Sequence, residues 1–148
     1  MEKLIFTDEY FMKEALKEAR KASDRDEVPI GAVIVSNNRV IARGYNLTET
    51  LNDVTAHAEM QAITAAQNYL GAKYLNECVL YVTLEPCPMC AGAAYWARLG
   101  RIVFGAGDQK KGFTLISKSL LNKKTIVTSG LLEKESLDLL RDFFRKKR

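Results

Sequence analysis

The chain has 148 residues, of which 47% are apolar and 27% are charged, and this is the composition of an ordinary globular protein. A chain of this length buries roughly 70% of its unfolded surface, so a single domain over residues 1–148 is expected. No apolar run approaches the about 18 residues of a membrane helix, and the N-terminus turns polar too early for a secretory signal. The composition therefore excludes a membrane protein, and we expect a cytoplasmic location.

Charge is unevenly distributed along the chain, although the formal net charge is only +4. Residues 1–97 carry nine basic and thirteen acidic side chains, whereas residues 98–148 carry thirteen basic and five acidic ones. The last eight residues hold five basic groups and one acid. A basic C-terminal third suits a polyanionic partner, but basic residues at the end of a helix are also favoured by the helix dipole. Charge alone leaves both explanations open.

The first third of the chain predicts a helix followed by a β-hairpin. Thr7 can cap the helix, acidic residues fill its first turn, and apolar side chains recur at helical spacing to about Ser23. Two short apolar, β-branched runs then follow at residues 30–35 and 39–45, separated by a polar turn. This pattern is typical of two antiparallel strands.

The rest of the chain alternates helices and strands. A second helix is predicted to start near Asp53 or Thr55 and to end at about Leu70, before Gly71. The remaining predicted elements are a strand at residues 78–84, a helix at 88–97, a strand at 101–104, a short helix at 115–121, a strand at 125–128 and a helix at 131–144. Interleaved strands and helices indicate an α/β sheet covered by helices on both faces.

One histidine and two cysteines form the clearest chemical pattern. His57 is the only histidine, Glu59 follows two residues later, and two of the three cysteines, Cys87 and Cys90, are spaced C-x-x-C. This cysteine usage favours reduced thiols over a disulfide scaffold. One imidazole and two thiolates supply three ligands of a tetrahedral zinc site and leave the fourth position to water, on which Glu59 can act as the base. The pattern predicts a zinc site with hydrolytic chemistry.

Two features of this pattern leave alternatives open. Pro88 predicts that a helix starts at the cysteine pair, where the dipole lowers thiol pKa values, and a redox dithiol also favours C-x-x-C at a helix start. Residues two apart on a regular helix point in nearly opposite directions. His57 and Glu59 can therefore face one site only if they lie at an irregular helix entry.

Four neighbouring residues are interpreted as structural. Cys78 has no partner at metal spacing and is expected to be a small buried hydrophobe. Met89 and Trp96 are expected in the core. Glu85, beside the metal motif, is expected to have a structural role.

The pattern H-x-E followed by P-C-x-x-C is the signature of zinc-dependent nucleobase deaminases. Nearly the whole chain resembles bacterial tRNA-specific adenosine deaminases, on FTDEY at 6–10, VPIGAV at 28–33, TAHAE at 55–59, LEPCPMC at 84–90 and DFFR at 142–145. The resemblance implies a three-layer α-β-α sandwich with a five-stranded mixed sheet of the cytidine-deaminase type, one zinc ion per chain and a homodimer. The activity that it implies is conversion of adenosine to inosine at the wobble position of the tRNA anticodon arm.

The resemblance also assigns roles around the base. Hydroxide activated by zinc would attack C6 of adenine, and Glu59 would carry the proton to the ring nitrogen and then to the leaving ammonia. Asn46, Ala58 and Val28 are the candidate substrate-binding residues. Asn46 offers a donor and an acceptor to a purine edge or its ribose, although an asparagine here is also an ordinary turn residue. Ala58 offers a backbone N–H.

Phe144, Arg145 and Arg148 are the candidate RNA-binding residues, because the C-terminal helix of the family helps to bind the tRNA anticodon arm. Phe144 can stack on a base or pack in the core, and the core is expected. Arg145 and Arg148 can contact phosphates, in which case affinity should fall steeply with salt.

Three positions depart from the family pattern. Val54 stands where a proline is common, and Gly107 stands where a basic residue is frequent. The sequence GFTLI at 112–116 replaces a stretch richer in glycine and serine. All three lie near surfaces that are expected to touch RNA.

Two other functions compete with tRNA deamination. The sequence PCPMC at 86–90 followed by AYWAR at 94–98 also resembles guanine deaminases, so a free-nucleobase deaminase acting on guanine or cytosine is the second hypothesis. The sequence VFGAGD at 103–108 and the basic ending favour the tRNA enzymes. A non-catalytic, zinc-stabilised RNA-binding module is the third hypothesis, and it leaves Glu59 without a purpose.

Overall fold

The structure is a computed structural model that describes residues 5–147, so residues 1–4 and 148 lie outside the described part of the chain. Its helices and strands are, in chain order, α1 (Asp8–Asp24), β1 (Gly31–Ser36), β2 (Arg39–Tyr45), α2 (Ala58–Leu70), β3 (Val79–Leu84), α3 (Pro88–Ala97), β4 (Arg101–Ala106), β5 (Ile126–Ser129) and α4 (Glu133–Lys146). Two single 3-10 turns, Phe113–Leu115 and Lys118–Leu120, lie between β4 and β5.

The strands form one mixed sheet in the order β2-β1-β3-β4-β5. Strand β1 is antiparallel to both β2 and β3, whereas β3, β4 and β5 run parallel. Asn37 and Asn38, with φ of 54° and 59°, make the tight turn between β1 and β2, because asparagine tolerates the positive φ that such hairpin turns require. The predicted hairpin is present.

Helices cover both faces of the sheet. Side chains alternate along β1, so Ala32 and Ile34 pack into the core beneath α2 and α3, while Val33 and Val35 pack on the opposite face with α1. Helix α1 begins as expected, since the Thr7 hydroxyl accepts a hydrogen bond from the Tyr10 N–H at 3.2 Å. Helix α4 packs against α1 and β4. The prediction of a three-layer α-β-α sandwich with a five-stranded mixed sheet is confirmed.

Two predicted helices differ from the structure. Helix α2 begins at Ala58 rather than near Asp53 or Thr55, because the Asp53 carboxylate accepts hydrogen bonds from the Thr55 N–H and hydroxyl and closes a local turn instead. The predicted helix at 115–121 is replaced by the two 3-10 turns. Ser117 separates them with an extended backbone, and its hydroxyl accepts a hydrogen bond from the Ser119 N–H.

The expectation that Met89 and Trp96 lie in the core is wrong. Met89 is 36% exposed and Trp96 is 76% exposed, because both lie on the side of α3 that faces away from the sheet. Cys78 is buried, as expected for a small hydrophobe. Within residues 5–147, no helix combines the length and the apolar character needed to cross a bilayer.

Candidate active site

Two helices begin at one edge of the sheet and bring the two sequence motifs together. Strands β3 and β4 are parallel, so their carboxyl ends meet there, and α3 begins just after the end of β3. The start of α2 reaches the same edge because β2 approaches it closely at Gly44. A Cβ atom on Gly44 would lie 2.4 Å from the carbonyl oxygen of Ala58, so only glycine allows this approach.

The side chains of His57, Cys87 and Cys90 converge at these two helix starts. Nδ1 of His57 lies 3.6 Å from Sγ of Cys87 and 3.5 Å from Sγ of Cys90. The candidate ligand atoms of the three residues all lie within 4.8 Å of one another. A nitrogen and a sulfur on one tetrahedral zinc ion, at about 2.1 and 2.3 Å from it, stand about 3.6 Å apart. The three side chains therefore fit a common metal ion.

The two cysteines differ in acidity because they lie against each other at the start of α3. Cys87 is the cap residue of α3 and Cys90 lies in its first turn, with Pro88 between them at the first helical position. A hydrogen bond from Cys90 lowers the pKa of Cys87 to about 4, against burial and with help from His57. The Cys87 thiolate and burial in turn raise the pKa of Cys90. A cation between the sulfurs would allow both to be thiolates.

His57 and Glu59 lie at an irregular helix entry. His57 precedes α2 with an extended backbone (φ −73°, ψ 155°), whereas Glu59 lies in the first helical turn. The opposed directions of residues two apart on a regular helix therefore do not apply to this pair. Glu59 is only 4% exposed, and burial raises its pKa to about 7. A carboxyl group with this pKa can both take and give a proton at neutral pH.

A cavity of about 910 Å³ opens over these residues. His57, Glu59 and Cys87 line it, whereas Cys90 lies behind them and is 1% exposed. The other residues that line the cavity are Val28, Ile30, Asn46, Thr48, Ala58, Leu84, Glu85, Gly107, Asp108, Gln109, Lys110, Lys111, Glu133, Leu137, Leu140, Arg141 and Phe144. The volume is large enough for a nucleotide-sized ligand.

Val28, Asn46 and Ala58, the predicted substrate-binding residues, all line this cavity. Oδ1 of Asn46 accepts a hydrogen bond from the Thr48 N–H at 3.3 Å, and Nδ2 donates to the carbonyl of Val28 at 3.5 Å. These bonds are long, so the amide group keeps capacity for a stronger partner.

The C-terminal helix presents one face to the cavity. Phe144 lines the cavity and is 50% exposed, so the expectation that it packs in the core is wrong. The neighbouring Phe143 is the buried ring, at 9% exposure. Arg145 is exposed and does not line the cavity, and Arg148 lies outside the described residues.

Sequence reasoning missed several residues of the cavity wall. Leu137, Leu140 and Arg141 occupy the same face of α4 as Phe144, at spacings of three and four residues. That periodicity was a usable signal, but it equally predicts a face packed on the core. Lys110 and Lys111 follow β4 in an irregular loop, and no local pattern marks them.

The chain matches known deaminases over nearly its whole length. The family model for MafB19-like deaminases matches residues 6–148. A tRNA-specific adenosine deaminase of Bacillus subtilis is 49% identical over 146 residues, covering 95% of this chain and 91% of the relative. A tRNA-specific adenosine deaminase of Agrobacterium fabrum is 51% identical over 144 residues, covering 94% of this chain and 95% of the relative.

Solved structures of deaminases also match this chain over most of its length. A structure from a study of A-to-I editing by tRNA:A34 deaminases at the wobble position of transfer RNA matches with a TM-score of 0.82 and 49% identity, covering 88% of this chain and 99% of that chain. A guanine deaminase from Nitrosomonas europaea matches with a TM-score of 0.85 and 26% identity, covering 95% of this chain and 86% of that chain. The predicted deaminase fold and family are confirmed: the chain belongs to the MafB19-like deaminase family, and its curated relatives at 41–51% identity are named tRNA-specific adenosine deaminases.

Proposed function

We propose that this chain is a zinc-dependent deaminase that converts adenosine to inosine at the wobble position of a tRNA anticodon. One observation carries the proposal: a buried glutamate of raised pKa and a His/Cys/Cys ligand set line one cavity of nucleotide size. The relatives named tRNA-specific adenosine deaminases support the choice of substrate. A tRNA substrate would place the activity in the cytoplasm.

His57, Cys87 and Cys90 are the residues that would hold the zinc ion. Their mutual distances and their thiol chemistry fit zinc, whose preferred ligands are nitrogen and thiolate sulfur. When bound, zinc lowers the pKa of water toward about 7, so a nucleophile is available at neutral pH.

Glu59 is the residue that moves protons in this reaction. Its carboxylate takes a proton from the attacking water as the C–O bond forms at C6 of adenine, and it gives that proton to N1 of the ring. It then takes the remaining proton from the new C6 hydroxyl and gives it to the amino group, so the C6 carbonyl forms, the C6–N6 bond breaks and ammonia leaves. Burial serves this role because it keeps the pKa of Glu59 near neutrality.

Asn46, Ala58 and Val28 would bind and orient the base beside Glu59. The Asn46 amide can pair with a purine edge or the ribose, the Ala58 backbone N–H can donate to the base, and Val28 supplies an apolar wall. All three line the cavity that holds Glu59.

Phe144, Arg145 and Arg148 would contact the tRNA anticodon arm. Phe144 offers a half-exposed ring on the cavity wall, and a ring in this position can stack on a base next to the one that reacts. Arg141 lines the cavity beside it, and Arg145 lies on the exposed surface of the same helix. These cations would meet phosphates of the bound strand.

A homodimer is the assembly that the exposed surface supports. Met89, Tyr95 and Trp96 of α3 are 36%, 40% and 76% exposed, and Leu115 and Ile116 are 56% and 69% exposed. Exposed apolar side chains in such number are typical of protein interfaces. A second copy that covered α3 would bury the two side chains that the sequence predicted to be core.

A free-nucleobase deaminase is the second candidate, favoured by the likeness to guanine deaminases of known structure. The sequence likeness rests on PCPMC at 86–90 followed by AYWAR at 94–98, and of these residues only Cys87, a residue of the proposed zinc site, lines the cavity. These residues therefore do not select between a free base and a base in tRNA. A non-catalytic module remains the third hypothesis, and the burial and pKa of Glu59 argue against it.

One assay separates these functions. Inosine formation is measured in a tRNA anticodon stem-loop with adenosine at the wobble position, in parallel with ammonia release from free guanine, adenine and cytosine. The proposal expects inosine in the stem-loop and little ammonia from the free bases. Rapid ammonia release from guanine without inosine would establish the second candidate, and no product from any substrate would favour the third.

A further inference from the structure

Two glutamates outside the metal site are buried beside the cavity. Glu27 is 1% exposed and Glu85 is 6% exposed. Among residues 5–147, neither takes part in an ion pair. A buried carboxylate without a cation is costly unless hydrogen-bond donors replace its water, so the donors around each one are informative.

Glu27 is bonded to the loop between β2 and α2, residues 46–57. Its carboxylate accepts hydrogen bonds from the Glu49 N–H at 3.1 Å, from the Thr50 N–H at 2.6 Å and from the Thr50 hydroxyl at 2.6 Å. Burial raises the pKa of Glu27, but these hydrogen bonds outweigh it and leave the pKa lower than usual. The side chain is therefore a charged acceptor at neutral pH.

Glu85 is bonded in the same pattern to the loop after β4, residues 107–114. Its carboxylate accepts hydrogen bonds from the Asp108 N–H at 3.1 Å, from the Thr114 N–H at 3.0 Å and from the Thr114 hydroxyl at 2.8 Å. Gly112 makes room for it, because a Cβ atom there would lie 2.3 Å from Oε2 of Glu85. Each carboxylate thus takes two backbone N–H groups and one threonine hydroxyl from its loop.

Both loops supply wall residues to the cavity. The loop held by Glu27 carries Asn46 and Thr48, and the loop held by Glu85 carries Lys110 and Lys111. Neither stretch is helix or strand where it lines the cavity. Other hydrogen bonds also tie the loops to the body of the protein, from the Asn46 N–H to the Ile30 carbonyl and from the Phe113 N–H to the Pro86 carbonyl, and the glutamates add three to each loop.

We propose that Glu27 and Glu85 are positioning residues for substrate: each fixes one wall loop of the cavity in the conformation that binds the RNA. This inference rests on the proposed function, because the substrate that the walls position is the one proposed above. Each carboxylate is the acceptor for two backbone N–H groups of its loop, and an apolar side chain of similar size would leave these groups unpaired and release the loop. The two walls have different tasks: Glu27 supports the side that holds the base through Asn46, whereas Glu85 supports the lysines that face the strand.

The first test measures the loops directly by hydrogen exchange of backbone amides. Glu27→Gln and Glu85→Gln replace an acceptor oxygen by an NH2 group, and Thr50→Val and Thr114→Val remove one hydroxyl each at exposed positions. We expect the amides of Glu49 and Thr50, or of Asp108 and Thr114, to exchange roughly tenfold faster, while the melting temperatures of the threonine variants stay close to that of the wild type. Thr50→Ser and Thr114→Ser keep the hydroxyl and should exchange like the wild type. Unchanged exchange in the valine and glutamine variants would overturn the proposal.

The second test compares KM with kcat for the anticodon stem-loop. We expect Glu85→Gln and Thr114→Val to raise KM by up to roughly tenfold with a much smaller change in kcat, because the loss is one of binding. Glu27→Gln and Thr50→Val should lower kcat as well, since the base itself is less well oriented. Faster amide exchange with unchanged kinetic constants would reduce both glutamates to structural residues and overturn the positioning role. If the wild type forms no inosine, the proposed function fails, and the exchange experiment still decides whether the glutamates hold the loops.

Discussion

The buried and the exposed ends of the cavity are built in different ways. At the buried end, His57, Cys90 and Glu59 sit at or within the first turns of two helices, and Glu59 is 4% exposed. At the exposed end, Phe144 is 50% exposed and projects from α4, a helix that packs on the body of the protein through few buried side chains. Chemistry and substrate recognition are therefore separable in this cavity. Changes at the buried end should abolish the reaction, whereas changes at the exposed end should weaken binding by degrees.

Glu59→Ala tests whether the buried end of the cavity carries the chemistry, and it has the largest expected effect. We expect turnover to fall by at least the roughly 10²- to 10⁴-fold that a general acid-base group contributes, because Glu59 is the residue assigned to proton transfer at C6. Zinc content should be unchanged, since Glu59 is not a ligand in our account. Inosine formation and metal analysis check both parts. The matched control is Glu77→Ala at an exposed position, and substantial activity in Glu59→Ala would remove Glu59 from the mechanism.

The two adjacent phenylalanines of α4 test whether binding and stability are separable at the exposed end. Phe143→Ala should lower the free energy of unfolding by roughly 3 kcal/mol, because its ring is buried. Phe144→Ala should leave stability nearly unchanged and weaken stem-loop binding by about 1–3 kcal/mol, the value of one base stacked on an aromatic ring. Thermal unfolding and fluorescence anisotropy measure the two effects. Equal RNA affinity of Phe144→Ala and the wild type would show that the ring makes no RNA contact.

Replacing Arg145 should have a smaller effect, seen in the salt dependence of stem-loop binding. If its guanidinium meets a phosphate, Arg145→Ala should reduce the slope of log affinity against log salt by about 1. Lys13→Ala removes the same charge from α1, outside the cavity lining, and should leave the slope unchanged. The check is a salt titration of stem-loop binding. An identical slope for Arg145→Ala and the wild type would exclude the contact.

A region distant from the metal-ligand set should affect stability alone. The Asp8 carboxylate accepts hydrogen bonds from two Arg101 nitrogens, at 2.9 and 2.8 Å, and from the Tyr81 hydroxyl at 2.6 Å. The hydrogen bonds from Arg101 lower the pKa of Asp8 below its ordinary value of 3.8, so this contribution to stability is present above that value and is lost as the pH falls through the lowered pKa. Asp8→Asn should therefore have a lower melting temperature than the wild type at pH 6, with a smaller difference near pH 3. Unchanged inosine formation is expected at pH 7, and a difference in melting temperature that did not shrink at low pH would contradict this role.

Local sequence patterns predicted the buried end of the cavity better than the exposed end. His57, Cys87 and Cys90 are recognisable because their residue types and spacing are rare outside metal sites, and α3 starts at Pro88 as predicted. The start of α2 was misplaced because Asp53 bonds to Thr55 instead of capping the helix. Trp96 looked like core because hydrophobicity alone does not distinguish a buried helix face from an exposed apolar one.

The part of the cavity wall that sequence reasoning missed depends on contacts between distant residues. Glu27 ends a polar run and resembles a solvated turn residue, and only its bonds to a loop more than twenty positions later show that it is buried. Phe143 and Phe144 are adjacent, so the helical pattern alone did not decide which ring is buried. The position of α4 against α1 and β4 decides it.

Zinc analysis of three purified proteins tests the central claim most directly. We expect one zinc ion per chain in the wild type and in Cys78→Ala, because Cys78 does not belong to the ligand set, and loss of zinc in Cys90→Ala, where one thiolate is missing. A full equivalent of zinc in Cys90→Ala, or a zinc-free wild type with a titratable disulfide between Cys87 and Cys90, would contradict it.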